Sequence, residues 1–254
     1  MTQGKKYWEF KAQSQTEADL YLYIQIESWG GGYQAHSAKS FKDELDYLGN
    51  IQTLNIYINS PGGNVFEGMA IHSMLKRHKA YKRVYIDGLA ASISSVIAMA
   101  GDEIIMPSNA MMMIHGASAD GGGTSVEHRQ LADLLDKATG SFSQTYLEKA
   151  GDKLDAETLS TLLTTDTWLT AQEAYDYGLC TEIVGANQVA ASISKELFAQ
   201  YKNVPESLQA MLKNEPQEPI ATGFTQEQRQ AIIAQTNFEL QNLTNDLKGV
   251  KNNV

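Results

Sequence analysis

No stretch of this chain approaches the run of about 20 apolar residues that crosses a bilayer as a helix. Its polar, lysine-bearing N-terminus lacks the apolar centre of a secretory signal. A soluble, cytoplasmic protein with no membrane partner is expected. Cysteine is almost absent: Cys180 is the only one in 254 residues, so no intrachain disulfide can form. It opens a strand-like Cys-Thr-Glu-Ile segment, where a buried core thiol fits better than a nucleophile. Cations are also scarce. Twenty Lys and Arg against 30 Asp and Glu give a formal charge of −10, without the clustered Lys and Arg that phosphate binding needs, so no nucleic-acid partner is expected. The five histidines show neither HExxH spacing nor cysteine partners, so no metal is expected. No internal repeat is evident.

What is present is a globular composition, 43% apolar and 20% charged, and a recurrent strand-helix pattern. Residues 1–19 read as a polar arm with Tyr7, Trp8 and Phe10 as anchors, and Leu20 to Ile26 as a strand. A Gly30-Gly31-Gly32 turn leads to a helix over Ser40 to Gly49, then to a strand from Leu54 to Ile58 buried on both faces. Val65 to Lys79 reads as a helix, Val84 to Ile86 as a strand, and Glu103 to Met106 and Met111 to Ile114 as two more strands. Alternation points Met112 away from Met111 and Met113, so the methionines are read as packing residues rather than metal ligands. The capping box Thr124-x-x-Glu127 starts a helix reaching about Lys149, with Leu131, Leu134 or Leu135, Ala138, Phe142 and Tyr146 on one face. A short helix from Asp155 to Leu163, a second box at Thr170 to Glu173, and a strand from Cys180 to Val184 follow. Beyond Gly185, helices are expected near 190–202 and 206–213 and a linker near 214–224. A final helix carries a narrow apolar seam from Ile233 to Val250, suited to weak self-association.

The chain is organised around Tyr85 to Gly101. A strand, a small-residue elbow at Gly88-Leu89-Ala90-Ala91 and an apolar helix place Ser92 at the helix start. A serine there is either an ordinary N-cap or a nucleophile, beside helix N–H groups that favour developing negative charge. Ser94 and Ser95 compete with it but would point to other sides of the helix. Gly62-Gly63, between a strand and a helix, is either a turn or a site of close backbone approach. His115 closes an apolar strand at a loop mouth, a better place for chemistry than those of His36, His72, His78 and His128. Asp166 alone reads as a turn residue.

Taken together, Asn59-Ser60-Pro61-Gly62-Gly63-Asn64, Gly88-Leu89-Ala90-Ala91-Ser92, Met113-Ile114-His115 and Asp166 before Thr170-Ala171-Gln172-Glu173-Ala174 resemble the active-site segments of the Clp protease proteolytic subunit, in order and near their spacing. Tyr7-Trp8-Glu9-Phe10, Glu27-Ser28-Trp29 and Asp87 to Ile93 are similar to its phage and prophage branch of head maturation proteases. The resemblance covers roughly residues 5 to 184. It implies an α/β Clp protease/crotonase-like fold of strand-strand-helix units with a long handle helix, divided as arm 1–19, peptidase domain 20–184 and helical extension 185–254. It further implies a serine endopeptidase without cofactors, with catalytic Ser92, His115 and Asp166, oxyanion donors Gly63 and Ile93, and substrate binding at Gly62, Asn64 and Val65. A homo-oligomeric, heptameric ring or double ring would act on proteins such as capsid or scaffold subunits, in the host cytoplasm or inside proheads. The arm does not match the loops that the cellular subunit offers its Clp ATPase, which leaves that partner in doubt. The alternatives are a catalytically silent ring component and a crotonase-like acyl-CoA enzyme, which would not need the three residues together.

Overall fold

The computed structural model describes residues 6–27, 37–186, 201 and 204–206, all within the compact unit Met1–Leu212. Among them one eight-stranded sheet carries six α-helices. Strands β1 (Glu9–Ala12), β2 (Glu17–Leu22), β3 (Thr53–Ser60), β4 (Tyr81–Ala91), β5 (Glu103–Pro107) and β8 (Glu182–Val184) lie in the order β1-β2-β3-β4-β5-β8. All neighbours are parallel except β1 with β2. Parallel strands with covered faces read as continuous apolar runs, and Leu54, Ile56, Ile58, Val84 and Ile86 are fully buried. No described helix is long and apolar enough to cross a membrane.

β4 is the hinge of the design. Arg83 to Tyr85 pair with β5, whereas Leu89 to Ala91 pair with β6 (Met111–Ile114). β6 in turn pairs antiparallel with β7 (Thr167–Thr170). One strand thus serves two partners, and the β6-β7 pair stands at its carboxyl end. The methionines alternate as expected: Met112 joins the main core, while Met113 and Met111 face a smaller apolar cluster.

The helices are α1 (Ala38–Tyr47), α2 (Val65–Arg77), α3 (Ile93–Ala98), α4 (Ser125–Ala150), α5 (Ala156–Leu162) and α6 (Ala171–Asp176). Their starts are chemically marked. Thr124 with Glu127 and Thr170 with Glu173 form the two expected capping boxes, satisfying N–H groups that a helix start leaves unpaired.

Two expectations need correction. The arm contains strand β1, and β2 begins at Glu17, because the edge of the sheet recruits residues 9–12 through main-chain pairing that side-chain pattern does not reveal. The strand expected to run to Ile26 stops at Leu22, leaving Ile26 as an isolated bridge to Gly63. On α4 the expected helix forms, with Phe142, Tyr146 and Ala150 buried and Leu134 48% exposed, its first half lying beyond the core of the single chain. The Gly30-Gly31-Gly32 turn, His36 and everything expected in 190–200 and 207–254 lie outside the described residues.

Candidate active site

Strand register assembles the site. β6 and β7 pair Met113 with Trp168 and Ile114 with Thr167; one further step sets His115 opposite Asp166, at the few-ångström separation of cross-strand neighbours. Their side chains meet at 3.0 Å, Nδ1 to Oδ1. β4 lies on the other side of β6, pairing Ala91 with Met113, and the next amide, Ser92 N–H, donates to the Met113 carbonyl at 2.8 Å. This brings Ser92 Oγ within 2.7 Å of His115 Nε2. Ser92, His115 and Asp166 therefore form one hydrogen-bonded chain.

Ser92 has φ 54° and ψ −131°, and is the one non-glycine with positive φ among the described residues. Such a backbone costs about 1–3 kcal/mol and persists only where its surroundings impose it. Here the Ser95 hydroxyl donates to the Ser92 carbonyl at 2.6 Å and meets the buried Tyr146 hydroxyl of α4, also at 2.6 Å. Ser94 donates to the Ser60 and Ala91 carbonyls. Both competing serines are thus committed to structure, and Ser92 makes no side-chain cap bond.

The Gly62-Gly63 loop packs against this elbow. A Cβ on Gly62 would lie 2.7 Å from Ser92 Cβ, and one on Gly63 2.0 Å from the Ile26 carbonyl oxygen; both glycines also have positive φ. The backbone could not come this close with side chains present. Ile26 N–H donates to the Gly62 carbonyl and Asn64 N–H to the Ile26 carbonyl, each at 2.7 Å. Gly63's own polar groups therefore point to the opposite edge. The N–H groups of Gly63 and Ile93 meet no acceptor among the described residues, and both residues line a cleft of about 740 Å³ that also contains Ser92, His115 and Asp166.

Burial lowers the His115 pKa below its usual 6.5, against the opposing pull of the Asp166 carboxylate and its hydrogen bond. The imidazole is thus neutral at pH 7, as a proton acceptor must be. Cys180 is buried, its thiol pKa raised by burial, and it donates to the Glu182 carbonyl, so it is a poor nucleophile. Among the described residues no three His, Cys, Asp or Glu side chains cluster to hold a metal.

A strained serine bonded to a buried His-Asp pair beside a glycine loop is a protease-like constellation, and the family model for Clp protease matches residues 25–187. The chain belongs to the Clp protease family. It is 32% identical over 150 residues to the ATP-dependent Clp protease proteolytic subunit of Streptococcus salivarius, covering 57% of this chain and 75% of that one. To the same subunit of Ligilactobacillus salivarius it is 34% identical over 143 residues, covering 55% and 71%.

Within this Clp protease family member, the structure brings together Ser92, His115, Asp166, Gly63, Ile93 and Val65 around the cleft. Gly62, expected with Asn64 to bind substrate, packs against the Ser92 elbow, and neither residue lines the cleft. The Gly62 N–H is taken by Ser60 Oγ and its carbonyl by Ile26. Asn64 accepts from Gly68 on its carbonyl and caps α2 by accepting from the Glu67 N–H. Sequence reasoning missed Tyr201. Its ring stands edge-on to those of His115 and Trp168, with centroids 5.8 and 5.9 Å apart, and its hydroxyl donates to the Pro61 carbonyl. No local pattern marks it: only the tertiary path of the chain carries residue 201 to the cleft.

Proposed function

We propose that this protein is a serine endopeptidase with Ser92 as nucleophile, His115 as general base and then acid, and Asp166 as the group that orients His115. The observation that carries this reading is the continuous hydrogen-bonded chain from Ser92 Oγ to His115 Nε2 and from His115 Nδ1 to Asp166 Oδ1. Ser92 Oγ attacks the scissile carbonyl carbon while Nε2 takes its proton; the oxyanion accepts from the N–H groups of Gly63 and Ile93. α3 has only six residues, so the donation is local rather than the effect of a long helix dipole. As the C–N bond breaks, His115 returns the proton to the leaving amine. Water, deprotonated by the same imidazole, then releases the acyl group and restores Ser92.

The substrate backbone would add as a strand to the free edge at Gly63 and Val65. The resemblance to the phage and prophage branch supports a homo-oligomeric, heptameric chamber that trims capsid or scaffold proteins during head assembly without a Clp ATPase. The test is incubation of the purified oligomer, of mass defined by ultracentrifugation, with phage capsid and scaffold proteins as candidate substrates. Site-specific cleavage that Ser92→Ala abolishes is expected. Equal cleavage by Ser92→Ala would contradict the nucleophile, cleavage only on adding a Clp ATPase the independence, and a monomer the ring.

A further inference from the structure

Beside the catalytic groups lies a second apolar cluster, separate from the main core. Leu89, Ala91 and Met113 are fully buried in it, Met111 and Trp168 partly so, and Tyr201 and Val204 cover it. Its walls are set by the same strands that set the site: Ala91 precedes Ser92, Met113 is two residues before His115, and Trp168 two after Asp166. Alternation along a strand puts residues two apart on one face, so Met113 and Trp168 share the face of His115 and Asp166. The cover comes from chain beyond residue 187, outside the part matched by the family model. The Tyr201 hydroxyl also donates to the Pro61 carbonyl, in the loop that carries Gly63.

When Ser92 attacks a carbonyl held by Gly63 and Ile93, the leaving nitrogen must lie toward His115 Nε2, which protonates it. The Tyr201 ring stands against that imidazole, so it occupies space needed by the substrate residue that follows the scissile bond. We propose that the patch of Leu89, Met111, Met113 and Trp168 is a subsite for a large apolar side chain immediately after the scissile bond, filled here in cis by Tyr201 and Val204. This rests on the serine peptidase reading. Substrate exchanges an apolar contact of its own for that of the segment, and disfavours a charge at that position because the patch offers it no partner.

The test uses quenched peptides identical up to the scissile bond and carrying Phe or Asp directly after it, with the full-length protein and its Tyr201→Ala and Val204→Asp variants. Val204→Asp lifts the segment by a substitution outside the catalytic groups. Both variants should raise kcat/KM for the Phe peptide by about tenfold or more, as expected for freeing one apolar side-chain pocket, and leave the Asp peptide within about twofold. No rise, or an equal rise for both peptides, overturns the proposal. Fluorophosphonate labelling of Ser92 in all three proteins separates the two readings. Labelling without the selective rise removes only the subsite, whereas absence of labelling from all three removes the peptidase reading and the subsite with it.

Discussion

His115 is caught between two opposed influences, burial that favours its neutral form and a carboxylate that favours its cation, and burial is the larger. The sign for activity follows. The base must be neutral to accept the Ser92 proton, and its pKa lies below 6.5, so the acid limb of kcat/KM has its midpoint below pH 6.5 and activity is full above it. Asp166→Asn removes the carboxylate that raises that pKa, so the limb moves further down. The rate should fall by about 10²–10⁴-fold, because the amide no longer holds the required tautomer. A pH-rate profile of wild type and variant checks both; a wild-type limb centred above 6.5 would contradict the assignment. Ser92 illustrates the same logic in the backbone, since its left-handed conformation is held by Met113, Ser95 and, through Ser95, Tyr146.

The element on which the site depends most is the Gly62-Gly63 loop between β3 and α2. Gly63→Ala places a methyl 2.0 Å from the Ile26 carbonyl oxygen at φ +140°, so the loop must move and carry its N–H out of line. Losing one oxyanion donor costs about 3–4 kcal/mol of barrier, and kcat should drop at least about a hundredfold with the circular dichroism spectrum unchanged. Gly122→Ala, whose added Cβ meets nothing within 4 Å, is the control and should keep full activity. Elements whose signals are local were legible in the sequence: the two capping boxes, the buried β3, and the strand-elbow-helix at Ser92. β1 and β7 were not, because four-residue strands at Glu9–Ala12 and Thr167–Thr170 are defined by their partners β2 and β6 more than by their own alternation. Ser92, His115 and Asp166, proposed above as a triad, were singled out through family motifs, and the structure places them in one hydrogen-bonded chain. The occupation of Gly62 and Asn64 by Ile26, and the arrival of Tyr201, depend on chain segments far away in sequence.

At the scale of the whole molecule, the parallel sheet concentrates its chemistry at the carboxyl ends of β4 and β6, the usual place for ligands in open α/β sheets. Asp166 joins them from just before β7, the antiparallel partner of β6. α4 links this region to the surface: its second half packs against the core through Phe142 and Tyr146, while its first half is exposed. A ring that covers that exposed half would also bear on Tyr146 and, through Ser95, on the Ser92 carbonyl. Assembly and alignment of the nucleophile would then be coupled in one helix, consistent with the oligomer proposed above.

The most direct measurement is labelling of the purified oligomer with a fluorophosphonate probe followed by peptide mass mapping, with Ser92→Ala and His115→Ala beside it. The account predicts one adduct per chain, on Ser92, absent from both variants. An adduct on another serine, or a folded oligomer that takes no label, would contradict it.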